Sequence, residues 1–261
     1  MSDRDSEKIV KLCQENALSM NSVISMGVRT ALSCFNDNQQ DVSFKMIINR
    51  RGTIAEKKSG GLRINFMPMR SIIAPEETFT QAVNKISEVQ NEMYLHSNLS
   101  FLETLKERHK SMPKEAKFDS TYDSFCLSYQ PLMKLASINE QMEKTAMSIW
   151  YNNGATMIPL YVTVCHRPTD GGLDFICEYR EEQDAAYDLT VFYSKMEKIF
   201  ALACENPDIT VGEILNKTEL TQEERNGKTE CRHSKDLFAS LKTTWKLTKS
   251  RLKTILNLIS A

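Results

Sequence analysis

Apolar residues recur every three or four positions in several stretches of the chain, which is the spacing of one buried face of a helix. Ser19 or Asn21 can cap the first stretch, and Thr78 can cap the second. The hydroxyl oxygen of Ser or Thr and the amide oxygen of Asn accept hydrogen bonds from free backbone N–H groups. The pattern therefore predicts three main helices, near residues 21–35, 78–95 and 188–204.

Strict alternation of apolar and polar residues, the period of a half-buried strand, marks five other segments. They cover residues 42–48, 64–70, 122–129, 157–164 and 173–179. Pro68 places the second segment at a sheet edge or a bulge, because proline has no N–H to donate to a neighbouring strand. Asp170-Gly171 separates the last two segments and predicts a hairpin, which would make them antiparallel neighbours.

Helices and strands alternate along the chain, but several strands are joined with no helix between them. We therefore expect a mixed sheet with helices packed on it, an α/β (α+β) two-layer sandwich. The organisation expected along the chain is a domain over residues 1–215, a linker over 216–233 and a C-terminal helix over 234–261.

Composition and charge narrow the functional classes. The 261 residues are 41% hydrophobic with a net charge of −1, which is typical of a globular protein and gives no bias towards nucleic acid. Seven cysteines without a C-x-x-C pair indicate reduced thiols in a cytoplasmic protein. The charged start does not form a signal peptide, and no apolar run reaches the ~18 residues of a membrane span. We expect no metal and no cofactor.

The C-terminal segment differs from the rest of the chain. Residues 231–261 carry seven Lys and Arg residues against one Asp, a net charge of +6. Within 234–259 the large apolar side chains share one helical face: Phe238, Leu241, Trp245, Leu252, Ile255, Leu256 and Ile259. A basic amphipathic helix of this kind can pack on its own domain, dock in a partner's groove or make peripheral contact with an anionic membrane. The sequence leaves these alternatives open.

Three segments of the chain share their order and spacing with one known family. In "GGLRINFMPMRS" a Gly-x-x-x-Asn-x-x-Pro-x-Arg element is formed by Gly61, Asn65, Pro68 and Arg70. "FDSTYDSFCLSYQ" ends in a Tyr-Gln pair, and "LDFICEYREEQDAAYDLTVFYSKMEKIFALACENPDITVGEI" reads as a closing strand and helix. Together they resemble the C-terminal lobe of the condensation domains of non-ribosomal peptide synthetases. The resemblance covers roughly residues 6–215.

Such condensation domains have two similar lobes, each resembling chloramphenicol acetyltransferase, with a His-His-x-x-x-Asp-Gly motif at the end of the N-terminal lobe. The resemblance implies a chloramphenicol acetyltransferase-like lobe without its own catalytic histidine motif. Such a lobe would be a binding or scaffold half of an amide- or ester-forming acyltransferase, inactive alone. Asn65 and Arg70 would line its substrate channel. The expected partners are a separate N-terminal lobe or a second copy of the chain, and a carrier protein.

His166-x-x-x-Asp170-Gly171 also has the spacing of a catalytic motif, found in acyltransferases that use coenzyme A or a carrier protein. In those families a helix follows the Asp-Gly, whereas a strand-like run follows it here, and Cys165 replaces a second histidine. A hairpin turn is therefore the favoured interpretation, because Asp-Gly between two alternating runs is a strong turn signal.

Two alternatives stay open. Asn65 can equally be a sheet-edge residue that bonds backbone atoms, since its amide both donates and accepts. The chain can also be a self-associating acyltransferase, with His166 as general base and Asp170 as the residue that orients it. The position of His166 distinguishes the two functions, because a hairpin tip fits the scaffold half and a channel between subunits fits the enzyme.

Overall fold

The computed structural model describes residues 1–100, 102–103, 106–107, 110, 124–131, 158–166, 172–179 and 189–224. Its main helices are α1 (Asp3–Glu15), α2 (Met20–Phe35), α3 (Ile54–Lys58), α4 (Phe79–Leu95), α5 (Leu189–Glu205) and α6 (Val211–Lys217). Its strands are β1 (Asp41–Asn49), β2 (Ile64–Ile72), β3 (Phe125–Gln130), β4 (Leu160–His166) and β5 (Leu173–Tyr179). The three predicted helices correspond to α2, α4 and α5, and all five predicted strands are present with ends shifted by a few residues.

Two helix starts carry side-chain caps at residues that the sequence predicts. The Ser19 side chain accepts a hydrogen bond from the Ser22 backbone N–H, so Ser19, and not Asn21, caps α2. At α4 the Thr78 side chain accepts from the Gln81 N–H, and the Gln81 side chain accepts from the Thr78 N–H. These bonds satisfy N–H groups that have no partner within the first turn of a helix.

The five strands form one mixed sheet in the order β2-β1-β3-β4-β5. The pairs β1–β2 and β4–β5 are antiparallel, whereas β1–β3 and β3–β4 are parallel. The predicted antiparallel pairing of segments 157–164 and 173–179 is confirmed, and His166 stands opposite Leu173. The connection between these strands, which contains Asp170, lies outside the described residues.

The two faces of the sheet have different surroundings. Alternation along the strands places Phe44 and Leu127 on one face, in the same core cluster as the buried apolar residues of α1, α2, α4 and α5. We call this the inner face. Lys45 and Cys126, which pair in register, lie on the opposite, outer face. The arrangement is the mixed sheet with packed helices that the sequence predicts.

Helix α2 lies at the centre of the helical layer, and most of its residues are buried. Its Gly27 faces α5 at a point where an added Cβ would come within 2.3 Å of the Phe200 ring. Aromatic rings connect this layer to the sheet. Phe125 on β3 contacts Phe44 on β1, with ring centroids 5.8 Å apart, and Phe192 on α5 at 5.9 Å. Edge-on and tilted pairs of this kind add to the energy of apolar burial.

Strand β2 lies at an edge of the sheet, as Pro68 predicts. Just beyond the strands the Arg50 N–H donates to the Arg63 carbonyl at 2.9 Å, which fixes the alternation of bonded and non-bonded pairs along the β1–β2 ladder. Pro68, opposite Lys45, falls in a pair that exchanges no backbone hydrogen bonds. The lack of an N–H at Pro68 therefore removes no hydrogen bond from the β1–β2 ladder, because the backbone nitrogen at this position points away from β1.

Residues 218–224 pack against α5. Leu220 is buried, and Lys195, only 7% exposed, donates to the Glu219 carbonyl at 3.1 Å and to the Glu224 carboxylate at 2.9 Å. The described fold thus continues to Glu224, within the segment 216–233 that the sequence predicts to be a linker. The C-terminal helix predicted over 234–261 lies outside the described residues.

Candidate functional site

The β1–β2 part of the outer face mixes apolar and charged side chains that are exposed or half-buried. We call it the β1–β2 outer surface, and it consists of Ser43, Lys45, Ile47, Ile64, Phe66, Pro68, Arg70 and Ile72. Ile64 is 38% exposed and Ile72 53% exposed. A group of apolar side chains turned to solvent on a regular sheet is a surface that favours association.

Arg70, a predicted channel residue, lies on this surface and is held by Asp41. Its Nε and Nη2 atoms donate to the two carboxylate oxygens of Asp41 at 2.9 and 2.7 Å. The pair lowers the pKa of Asp41 and raises the pKa of Arg70, so both groups are charged at neutral pH. A guanidinium fixed in one orientation can offer its remaining N–H groups to a substrate oxygen.

Further across the outer face, β3 and β4 carry hydroxyl side chains. Ser128 and Thr163 are neighbours in register, both are buried, and Tyr161 lies on the same face. Burial raises the pKa of Tyr161, so its hydroxyl stays protonated at neutral pH. Burial also raises the pKa of the Cys126 thiol to about 12, which keeps it from becoming a nucleophilic thiolate. These four side chains offer hydrogen bonds and no nucleophile.

Asn65, the other predicted channel residue, points to the inner face. It is 5% exposed, and its Nδ2 donates to the Ser97 carbonyl at 3.1 Å and to the Leu99 carbonyl at 2.7 Å. Its Oδ1 accepts from the Phe66 backbone N–H at 3.0 Å. The side chain therefore ties the segment after α4 to the edge strand, as expected for a sheet-edge asparagine that bonds backbone atoms. A role in a substrate channel stays a prediction.

His166 is the last residue of β4 and shares the inner-face side of that strand with Val162 and Val164. Its Nε2 lies 2.8 Å from the Tyr129 hydroxyl, and the two rings meet edge-on with centroids 5.8 Å apart. Burial raises the pKa of Tyr129 to about 12, so this hydroxyl keeps its proton. Tyr129 donates to Nε2 when the histidine proton is on Nδ1, and accepts from it in the other tautomer. Nε2 is engaged in both cases.

Asp170 lies outside the described residues, so the structure describes His166 without Asp170. Catalysis by this pair stays a prediction. Where the structure describes the chain, no three His, Cys, Asp or Glu side chains are grouped closely enough to hold a metal ion. No helix in that part of the chain is long and apolar enough to cross a membrane.

Two features of the site were not predicted from the sequence. The first is the cluster of three hydroxyl-bearing side chains, Ser128, Tyr161 and Thr163. Strand alternation alone would place them on the face opposite Leu127. The second is the contact between Tyr129 and His166. It depends on β3 and β4 being parallel neighbours, for which a single sequence carries no signal.

Residues 1–224 match the family described as the condensation domain. The chain belongs to the condensation domain family. Its extent is compatible with the C-terminal lobe predicted from the motif around Asn65 and Arg70, because solved condensation domains are about twice as long as the matched part.

Solved structures of condensation domains share the fold. The first condensation domain of the calcium-dependent antibiotic synthetase, in complex with a substrate analogue, aligns with a TM-score of 0.60 at 16% identity, over 81% of this chain and 44% of that chain. The condensation domain from Monacolin K polyketide synthase aligns with 0.62 at 14% identity, over 81% and 47%.

A four-domain nonribosomal peptide synthetase bound to AMP and glycine aligns with a TM-score of 0.66 at 11% identity, over 81% of this chain and 17% of that chain. This chain therefore spans less than half the length of each of these proteins. Identities this low show the fold alone. No curated protein sequence matches the chain.

Proposed function

We propose that residues 1–224 act as the C-terminal lobe of a condensation-type acyltransferase, which forms amide or ester bonds only together with an N-terminal lobe that supplies the catalytic histidine. The observation that carries this proposal is the β1–β2 outer surface, where exposed Ile72 lies beside the Arg70–Asp41 pair and exposed Ile64 lies at the other end of β2. A second lobe docked there would cover the apolar side chains and enclose the charged pair at the interface.

Two further observations support a division of labour between lobes. The chain spans 44% and 47% of the condensation domains that it matches. The sequence contains no His-His-x-x-x-Asp-Gly motif. A lobe of this kind contributes binding energy and substrate orientation, which are terms that lower an activation barrier without any proton transfer by the lobe itself.

The outer face supplies a group suited to that task. Arg70 presents an exposed cation oriented by Asp41, whereas the Ser128 and Thr163 hydroxyls on the same face are buried. We propose that Arg70 contacts a carbonyl oxygen of an acyl substrate delivered as a thioester on a carrier protein. Side chains already held in place lose little freedom on binding, so they orient a substrate at low entropic cost.

In this proposal His166 has a structural role. A general base needs a free lone pair within hydrogen-bond reach of the proton that it removes. The Tyr129 hydroxyl engages Nε2 at 2.8 Å, and the ring lies on the helix-covered side of β4, away from the β1–β2 outer surface. The geometry thus favours the scaffold half over the self-associating enzyme that uses His166.

Reconstitution tests the proposal. An N-terminal lobe with an intact His-His-x-x-x-Asp-Gly motif, taken from the same genome, is mixed with the purified chain, and amide formation from carrier-protein thioesters is followed by mass spectrometry. We expect no product from the chain alone and product from the mixture. Ile72→Asp should prevent complex formation, because it places a carboxylate in an apolar interface. Leu95→Asp, an exposed change at the end of α4, is the matched control and should leave the complex intact.

Two results would overturn the proposal. One is acyl transfer by the chain alone that falls 10²–10⁴-fold in His166→Ala, the loss expected for a general base. The other is a mixture in which the lobes neither bind nor form product, although both are folded by circular dichroism.

A further inference from the structure

A groove of about 280 Å³ separates α1 from α5 on the surface of the helical layer. Its floor is apolar and is formed by Ile9, Phe200, Ala201 and Cys204. Its rim carries charges of both signs, with Asp5 and Lys8 on α1 and Glu197 and Lys198 on α5. A water molecule occupies about 30 Å³ in the liquid, so the groove has room for one or two bulky side chains.

The chain leaves the described fold at Glu224, on the side of α5 turned away from this groove. Lys195 binds both Glu219 and Glu224, the last described residue, and it lies about 200° around α5 from the groove-lining Glu197, so the chain must pass around a helix about 10 Å wide to reach the groove. The nine residues of 225–233 can reach up to about 30 Å when extended. Residue 234 can therefore begin a helix at either end of the groove.

The segment 234–259 has an apolar face of matching length. Phe238, Leu241 and Trp245 open that face, and seven residues of helix separate the first from the last, about 10 Å. Glu197 and Cys204 are also seven residues apart on α5, so they mark out the same length of groove. The Lys and Arg residues of the segment lie mostly off this face and can meet the carboxylate of Glu197 or solvent.

We propose that residues 234–259 form a helix that docks on their own domain, with Phe238 and Trp245 in the groove between α1 and α5 and Leu241 against its edge. The tether favours this occupant over a second copy of the chain, because a short flexible linker gives an effective concentration in the millimolar range. It also removes the apolar face from contact with an anionic membrane. The inference is independent of the acyl-transfer proposal.

Cys204 reports on the groove, because its thiol lines the floor and is half-buried in the fold. The full chain is alkylated with iodoacetamide at mildly alkaline pH, and each cysteine peptide is quantified by mass spectrometry. The test variant is Phe238→Glu with Trp245→Glu, which charges the docking face. Thr243→Glu is the matched control, since position 243 lies on the opposite side of the same predicted helix.

We expect the double variant to raise the alkylation rate of Cys204 about tenfold or more, because the reagent would reach the thiol without prior undocking of the C-terminal helix. Thr243→Glu should change the rate less than about twofold. Cys177, half-buried in β5, serves as the internal control and should react equally in all three proteins.

An equal Cys204 rate in the native chain and the double variant would overturn the proposal. So would protection of Cys204 that disappears on dilution, which would assign the groove to a second copy. Protection that appears only when phosphatidylserine vesicles are added would assign the segment to the membrane. Ala201→Arg gives a second measurement, because it fills the groove and should expose the tail to proteolysis without charging the tail itself.

Discussion

Gly27 on α2 and Phe200 on α5 lie so close that an added Cβ at position 27 would sit 2.3 Å from Cζ of the ring. Both residues are buried. Only a residue without a side chain lets these two helices approach to this distance. The contact locks the central helix of the layer against the helix that leads to the C-terminal segment.

Gly27→Ala should lower the free energy of unfolding by about 1–2 kcal/mol. Overpacking a close-packed core costs about 1–3 kcal/mol, and the better helix propensity of alanine offsets up to about 1 kcal/mol of that. Urea denaturation measures the difference. Gly60→Ala is the control, because an added Cβ there meets nothing within 4 Å. Phe200→Leu in the Gly27→Ala background should recover part of the loss, and strict additivity of the two changes would contradict the contact.

Asn65→Leu should destabilise the fold by about 1–3 kcal/mol, because the Ser97 and Leu99 carbonyls would lose a donor in a partly buried site. Thermal unfolding measures the loss. Asn98→Ala removes an exposed hydrogen bond with Arg50 and should change stability by less than about 0.5 kcal/mol. An Asn65→Leu protein of unchanged stability would show that this side chain does not anchor the segment after α4.

Glu224 should make the stability of the fold depend on pH. Burial disfavours its charged form, but the hydrogen bonds from Lys195 and the Thr221 N–H outweigh burial and hold its pKa below the usual value of 4.5. A carboxylate with a lowered pKa stabilises the folded state above its unfolded pKa, and this contribution disappears as pH falls through the folded pKa. The stability difference between the native chain and Glu224→Gln should therefore be largest at neutral pH and shrink below about pH 4.5.

Urea unfolding of both proteins across the acid range measures this difference. Glu223→Gln, next to it in sequence, is the matched control and should show no comparable pH dependence relative to the native chain. A difference that stays constant from neutral to acid pH would contradict the ion pair with Lys195.

The chain should self-associate at micromolar concentration, because the β1–β2 outer surface leaves Ile64 and Ile72 exposed. Full burial of a fully exposed isoleucine side chain contributes roughly 1.5–3 kcal/mol, and Ile64 and Ile72 are only 38% and 53% exposed, so each contributes about half of that and the dimer is weak. Sedimentation velocity should show a dimer or larger species for the native chain and for Leu95→Asp, and a monomer for Ile72→Asp. A native chain that stays monomeric would show that this surface needs a different partner.

Local patterns predicted the elements of this fold well, because each depends on residues close in sequence. Ser19 and Thr78 cap helices through bonds to residues three positions away, and the alternation within each strand reports its own burial. The hairpin pairing of β4 and β5 also follows from a short connection. These features rest on local geometry that a single sequence contains.

The arrangement of the sheet and the partners in the site depend on residues far apart. β1 lies between β2 and β3, and no local pattern indicates that position. Asn65 belongs to the motif that carries the family resemblance, but its acceptors lie 32 and 34 residues away, after α4. Tyr129 and His166 meet only because two parallel strands align in register. The family resemblance predicted the lobe, whereas these long-range contacts could be identified only from the structure.

The position of Pro68 limits how copies of this protein can stack. On the outward edge of β2 an incoming strand would need donors from alternate residues, and the central one of these is missing. The pyrrolidine ring also crowds the space where that strand would lie. Growth of a continuous fibrillar sheet from this edge is therefore interrupted at its middle. Contact through the β1–β2 outer surface is unaffected by Pro68, so assembly is directed towards closed complexes and away from open-ended fibres.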